Sequence, residues 1–199
     1  MKVLVFGHRY VKDLYHLKPR LRHVAIPAIN SVADVFYRYY PGKDYDYFGS
    51  HPEEFEYIRS LQPDIFIVVF GGNLIVEDNS NSYNKQVCQA FFENVREYLP
   101  SHCKVLVGEV EHRFCAPNNY WGAPDEEEFQ RRRRNLNNFV RVKLKHKKLV
   151  DSMMLIGATG GLDNPNMFKR DGVHLTENGL KFYREVLVNT IKYHAVDRL

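Results

Sequence analysis

Cysteine is scarce in this chain: Cys88, Cys103 and Cys115 are the only three among 199 residues. An odd, low count argues against a disulfide-stapled secreted scaffold and points to reduced thiols in the cytosol or nucleus. No apolar run approaches the roughly 20 residues that a membrane helix needs, so no membrane partner is expected. Met1-Lys2-Val3-Leu4-Val5-Phe6 is too short for an export signal and reads as a strand that begins at once. Charge of one sign is not in large excess either. Lys and Arg number 28 against 24 Asp and Glu, a net charge of +4, too mild a balance to imply nucleic acid by itself. There is no internal repeat and no low-complexity segment. What remains is an ordinary globular composition, 44% hydrophobic and 26% charged, from which residues 1–199 are expected to form one domain around a real core.

Along the chain, strand and helix patterns alternate. Residues 3–6 form a short apolar run that stops at Gly7, and residues 10–17 read as a helix ending before Pro19. Residues 32–40 are β-branched and aromatic and end at Pro41-Gly42, a second strand. A helix over 52–61 follows, with Pro52 in its first turn. Residues 64–70 form the strongest strand of the sequence. Their lack of polar alternation predicts that helices cover both faces. The run stops at Gly71-Gly72-Asn73. Residues 83–99 read as a helix, 104–110 as a fourth strand, 124–146 as a long helix and 153–156 as a short fifth strand. In the long helix, Asp125 to Glu128 at the start and Lys143 to Lys148 near the end suit the helix dipole. Thr176 caps a final helix with Leu180, Tyr183, Val186, Leu187 and Ile191 on one face. The most loop-like stretches are residues 78–82, 116–123 and 157–166. This order predicts a three-layer α/β/α sandwich with a parallel sheet of about five strands, flavodoxin-like in its layering. In such sheets the site lies at the carboxyl ends of the strands, where Gly7, Gly42 and Gly71-Gly72-Asn73 all fall.

Three short segments, in order, carry a resemblance. Gly7-His8-Arg9 closes the first strand, Gly71-Gly72-Asn73 follows the strongest one, and Asp171-Gly172-Val173-His174 precedes the last helix. Together they resemble the blocks of the SGNH (GDSL-type) hydrolase family, spanning residues 3 to about 190. Gly7-His8-Arg9 is most similar to the Gly-His-Ser form found in esterase-like domains of invertebrate and retroelement-associated proteins. Leu74 stands where the third block usually ends in Asp, and Pro41-Gly42 sits where the second-block glycine is expected. The resemblance implies the family's fold and its roles by position: His174 as base, Asp171 as its orienter, and Gly42 and Asn73 as oxyanion-hole donors. A serine at the end of the first strand would attack an acyl carbonyl while the histidine takes its proton.

Here the nucleophile position holds Arg9. A guanidinium stays protonated and forms no acyl intermediate. In serine proteases the loss of the nucleophile costs on the order of 10⁶-fold in turnover. The reading is therefore a catalytically inactive member of the fold, a binding or scaffold module for a protein partner or a small anionic ligand. Arg9 is expected in the old cleft, its guanidinium hydrogen-bonded to Asp171, to a nearby backbone carbonyl or to a bound anion. One alternative is an active acyl-ester hydrolase with a displaced nucleophile, such as Ser31 or Ser50. A second is a nucleic-acid-associated module of retroelement origin, which would need Arg131 to Arg134 and Lys143 to Lys148 to merge into one exposed face.

Other features have plainer readings. Consecutive helical arginines point in successive directions, and Glu127 and Glu128 precede Arg131 and Arg132 by four residues, which favours intrahelical pairing. His102, Cys103, His112 and Cys115 invite a zinc reading. The intervening strand would hold the two pairs roughly 20 Å apart at about 3.3 Å per residue, whereas zinc draws its ligands to about 2.3 Å. No metal and no cofactor are expected. In Phe36-Tyr37-Arg38-Tyr39-Tyr40, strand alternation puts Phe36 and Arg38 on one side and Tyr37 and Tyr39 on the other.

Overall fold

The computed structural model describes residues 1–76, 80–114, 125–154, 162 and 164–196. The strands are β1 (Lys2–Gly7), β2 (His23–Ile26), β3 (Ser31–Tyr39), β4 (Ile65–Val69), β5 (Lys104–Gly108) and β6 (Ser152–Met154). The helices are α1 (Arg9–His16), α2 (Glu53–Leu61), α3 (Asn81–Arg96), α4 (Glu126–Phe139) and α5 (Glu177–Val196), and α4 runs on into a π turn over Val140–Leu144. The sheet order is β2-β3-β1-β4-β5-β6. All neighbours are parallel except β2 and β3. The expected sheet of about five parallel strands is thus present, with β2 added antiparallel at one edge. This strand escaped the sequence reading because it is only four residues long and buries only alternate residues.

Period-2 alternation divides the sheet residues between two cores. Leu4, Phe6, Phe66, Val68, Val105 and Val107 face α2, α3 and α4. Val3, Val5, Ile65, Ile67, Val69 and Leu106 face α1 and α5. The same rule places Tyr37 and Tyr39 on the α1/α5 side and Phe36 on the other, as the aromatic run predicts. Thr176 caps α5 by accepting the Gly179 amide on its hydroxyl at 3.2 Å. No helix among the described residues is long and apolar enough to cross a membrane. The expected loop at 78–82 is described from Ser80 on, where Ser80 caps α3 and Asn81 and Ser82 already belong to that helix, whereas 116–123 and most of 157–166 lie outside the described residues. So do Cys115, the start of the long helix at residue 124 and the end of the fifth expected strand at residues 155–156.

The helices also fix where the sheet can open. α1 leaves β1 toward one face, while α3 leaves the end of β4 toward the other. The crevice at this divergence lies beyond the carboxyl ends of β1 and β4. Gly7 lets the two strand ends close up: the amide of His8 donates to the Val69 carbonyl at 3.1 Å, and a Cβ on Gly7 would stand 2.4 Å from that carbonyl oxygen. The obstacle is backbone in the middle of a sheet, so it has little room to yield. Gly7→Ala is expected to lose about 1–3 kcal/mol of stability in urea unfolding, an overpacking cost. Gly49→Ala, where nothing stands within 4 Å of the added atom, should be close to neutral.

Candidate functional site

Side chains from four segments converge beyond the strand ends. His8 follows β1, Gly71 to Leu74 follow β4, Glu111 to Arg113 follow β5, and Asp171 to His174 precede α5. The turn after β4 is held from below by Asp44, a buried carboxylate that accepts the amides of Tyr45, Gly71, Asn73 and Leu74. Burial pushes the Asp44 carboxyl up to about 6, opposed by the Tyr45, Leu74 and Asn73 amides. That turn presents Asn73 to Arg113, whose Nη2 donates to the Asn73 Oδ1 at 3.1 Å. Arginine only donates, so this contact also fixes which end of the amide faces it. A Cβ on Gly72 would lie 2.6 Å from the same Nη2. The bare backbone of Gly72 therefore gives the guanidinium its seat.

His174 and Asp171 are brought together. The His174 Nδ1 lies 2.6 Å from the Asp171 Oδ2, and the Asp171 Oδ1 accepts the amides of Val173 and His174. Partial burial works against the carboxylate. The His174 amide and ring and the Val173 amide outweigh it and hold Asp171 below the usual carboxylate range. The loop is tied down twice. The Tyr10 hydroxyl donates to the Val173 carbonyl, and the Phe114 amide donates to the Gly172 carbonyl. Gly172 has φ +68°, and a Cβ there would overlap the Phe114 carbonyl at 1.6 Å, so only glycine fits.

Arg9 is not in the cleft. Its Nε donates to the Asp13 Oδ1 at 3.0 Å, and its side chain is 47% exposed. The expectation that it pairs with Asp171 is therefore corrected. As the first residue of α1, Arg9 projects along the helix surface, where Asp13 one turn later is a nearer acceptor. Asp171 is already engaged by His174. Gly42 occupies an exposed turn with φ +77° and open space around its Cβ position, so it is not packed against the dyad. Ser50 lies against Tyr47 and His51, and Ser31 starts β3 at the opposite end of the sheet. Neither is brought to His174.

The cation that does enter is Arg113, which the sequence reading passed over. Its signal was available: it lies in the segment that leaves the carboxyl end of β5, five residues past Gly108. Beside it, His8 is buried and neutral. Burial first, then the charges of Arg113 and His174, lower its pKa from 6.5 to about 3. Its Nδ1 accepts the Tyr10 amide at 3.4 Å, leaving Nε2 to carry the proton. Glu111 lies deeper, its carboxyl raised by burial to about 7. It interacts electrostatically with Tyr183, yet neither its Oε1 nor the Tyr183 hydroxyl reaches hydrogen-bond geometry with any described residue.

Elsewhere, the four arginines of α4 are divided. Arg131 and Arg132 both close on Glu128, with Arg131 choosing it over Glu127. Arg133 reaches the Val110 carbonyl, and Arg134 is exposed. His102 faces Asp64 at 3.3 Å and His112 faces Glu126 at 3.2 Å.

No family model matches the sequence, and no curated protein matches it. Solved structures do. The chain is similar to a GDSL-like lipase from Bacteroides thetaiotaomicron, at 19% identity and a TM-score of 0.66, covering 97% of this chain and 88% of that one. It is similar to a carbohydrate esterase family 3 protein from Talaromyces cellulolyticus, at 12% identity and a TM-score of 0.66, covering 100% and 99%. A lipase/acylhydrolase from Enterococcus faecalis matches at 12% identity and a TM-score of 0.63, covering 97% and 96%. At these identities the likeness shows the fold: the chain has the α/β sandwich of the SGNH/GDSL hydrolases.

The state of His8 can be checked through stability. Above pH 6.5 the ring is neutral whether the chain is folded or not. Between 6.5 and about 3 the unfolded chain takes up a proton that the native site refuses, so stability falls as the pH drops through this window. Urea unfolding should lose about 2–3 kcal/mol from this source between pH 6.5 and about 4.5. His8→Phe should remove that slope whatever it does to stability at neutral pH. An unchanged slope would show that His8 is not held neutral.

Proposed function

We propose that this chain is a binding domain on an esterase fold: it does not turn over acyl esters, and its strand-end cleft takes a small anion such as a carboxylate or phosphate. The observation that carries the reading is Arg113, seated on Gly72 and Asn73 with His174 in the same cleft. A guanidinium on that turn offers the donors a carboxylate or phosphate needs. The place that resembles a nucleophile site holds Arg9, turned outward onto Asp13. In this reading the chain descends from the Gly-His-Ser branch of the fold, its serine exchanged for Arg9. It works in the cytosol or nucleus, where a thiol such as that of Cys88, buried and unbridged, stays reduced.

The assembled His174–Asp171 dyad favours one competing reading, hydrolysis with His174 acting as base on a nucleophile other than Arg9. A short-chain p-nitrophenyl ester assay separates the two. Turnover no higher than that of His174→Ala is expected, and activity that disappears with His174 would promote the enzyme. The binding reading is tested by calorimetric titration with phosphate and acetate. Arg113→Gln should weaken binding at least about tenfold, since a charge-assisted hydrogen bond contributes roughly 1.5–3 kcal/mol. Binding that survives Arg113→Gln would move the anion out of this cleft.

A further inference from the structure

A second feature lies away from the cleft, at the sheet edge opposite β2. β6 is the last strand, paired on its β5 side only among the described residues. Between it and the π turn that extends α4 lies a groove of about 170 Å³. Its floor is Val140, Val150 and Met153, with Ser152 beside them, and Arg141 and Lys145 stand at its rim. Residues 141–148, Arg-Val-Lys-Leu-Lys-His-Lys-Lys, contain no acidic side chain. Arg141 lies 3.3 Å from Glu109, but Lys143, Lys145, Lys147 and Lys148 are exposed and ion-pair with no described residue. A π turn, rare in itself and frequent at functional positions, forms the wall.

We propose that this groove docks an extended acidic segment of a partner protein, laid along β6 as an added strand. A strand edge unpaired among the described residues offers backbone donors and acceptors, an apolar floor takes alternate side chains, and a basic rim takes the acidic ones between them. Charge decides against the other occupants. A second copy would bring the same lysines face to face, a like-charge contact. A nucleic acid would use the lysines but neither the apolar floor nor the strand edge, and among the described residues no aromatic side chain lines the groove to stack on its bases. The site shares no residue with the anion cleft and stands whether or not that reading holds.

The test uses the full chain and three fluorescein-labelled probes in anisotropy titrations: a short peptide alternating Glu and Val, its Lys and Val counterpart, and a short single-stranded oligothymidine. The Glu/Val peptide should bind and the Lys/Val peptide should not. Lys145→Glu should weaken the Glu/Val peptide about tenfold. Exchange of its valines for serine, which leaves the charge untouched, should weaken it as well. In amide spectra of the chain, Ser152 and Met153 should shift on binding. The proposal is overturned by failure of the Glu/Val peptide to bind, by binding indifferent to Lys145→Glu, by unmoved Ser152 and Met153 amides, or by tighter binding of oligothymidine.

Discussion

The turn after β4 aims three of its amides at a single buried carboxylate, that of Asp44, which also takes the amide of Tyr45. Backbone amides buried in this way need an acceptor, and one left without costs about 1–3 kcal/mol. Asp44 supplies the acceptor from a different loop, the one after β3, so the loops of β3 and β4 are held to one another. Everything at the strand ends builds on this tie. It sets where Gly72 and Asn73 stand, and through them where the Arg113 guanidinium rests. From there the charge of Arg113 helps to keep His8 neutral.

The cleft that results holds both a guanidinium, that of Arg113, and the His174–Asp171 dyad. An acyl-transfer site must raise a nucleophile's reactivity and leave donors open for a developing oxyanion. Here Arg113 holds the Asn73 Oδ1, which leaves the donors on the amide's Nδ2 free, and Arg9 at the nucleophile position is turned onto Asp13. What persists is the His174–Asp171 pair, anchored through Tyr10 and Phe114. Those anchors also join the loop before α5 to α1 and to the segment after β5, so the pair has a structural use independent of chemistry. Glu111 and Tyr183 place further polar groups beneath the same floor. This concentration of buried ionisable groups is uncommon outside ligand or catalytic sites.

Much of the fold could be read along the chain because its strongest signals are local. Ile65 to Val69 lack alternation because helices cover both faces. Thr176 and the acidic start of α4 act within a turn of their own positions. The strand His23–Ile26 was not legible: so short an edge strand, half exposed, looks like any polar loop until β3 is there to pair with it. The same difference in range separates the site residues. Asp171 and His174 meet because three residues and one loop place them, whereas Arg113 meets Asn73 only after β4 and β5 have paired and Asp44 has folded the turn between.

By itself, then, the sequence determined the alternation of strands and helices, the strand ends at which a site must lie, and the absence of a serine hydroxyl beside His8. Only the tertiary structure decided which arginine occupies the cleft. Motif order singles out Arg9, but the direction of a side chain at the start of a helix depends on the helix's rotation against the sheet and on the nearest acceptor, and both favour Asp13. Arg113 enters because packing of β5 beside β4 brings its backbone next to a glycine with no side chain to exclude it. Contacts between segments distant in sequence carry no local pattern, and they arise only when the sheet closes.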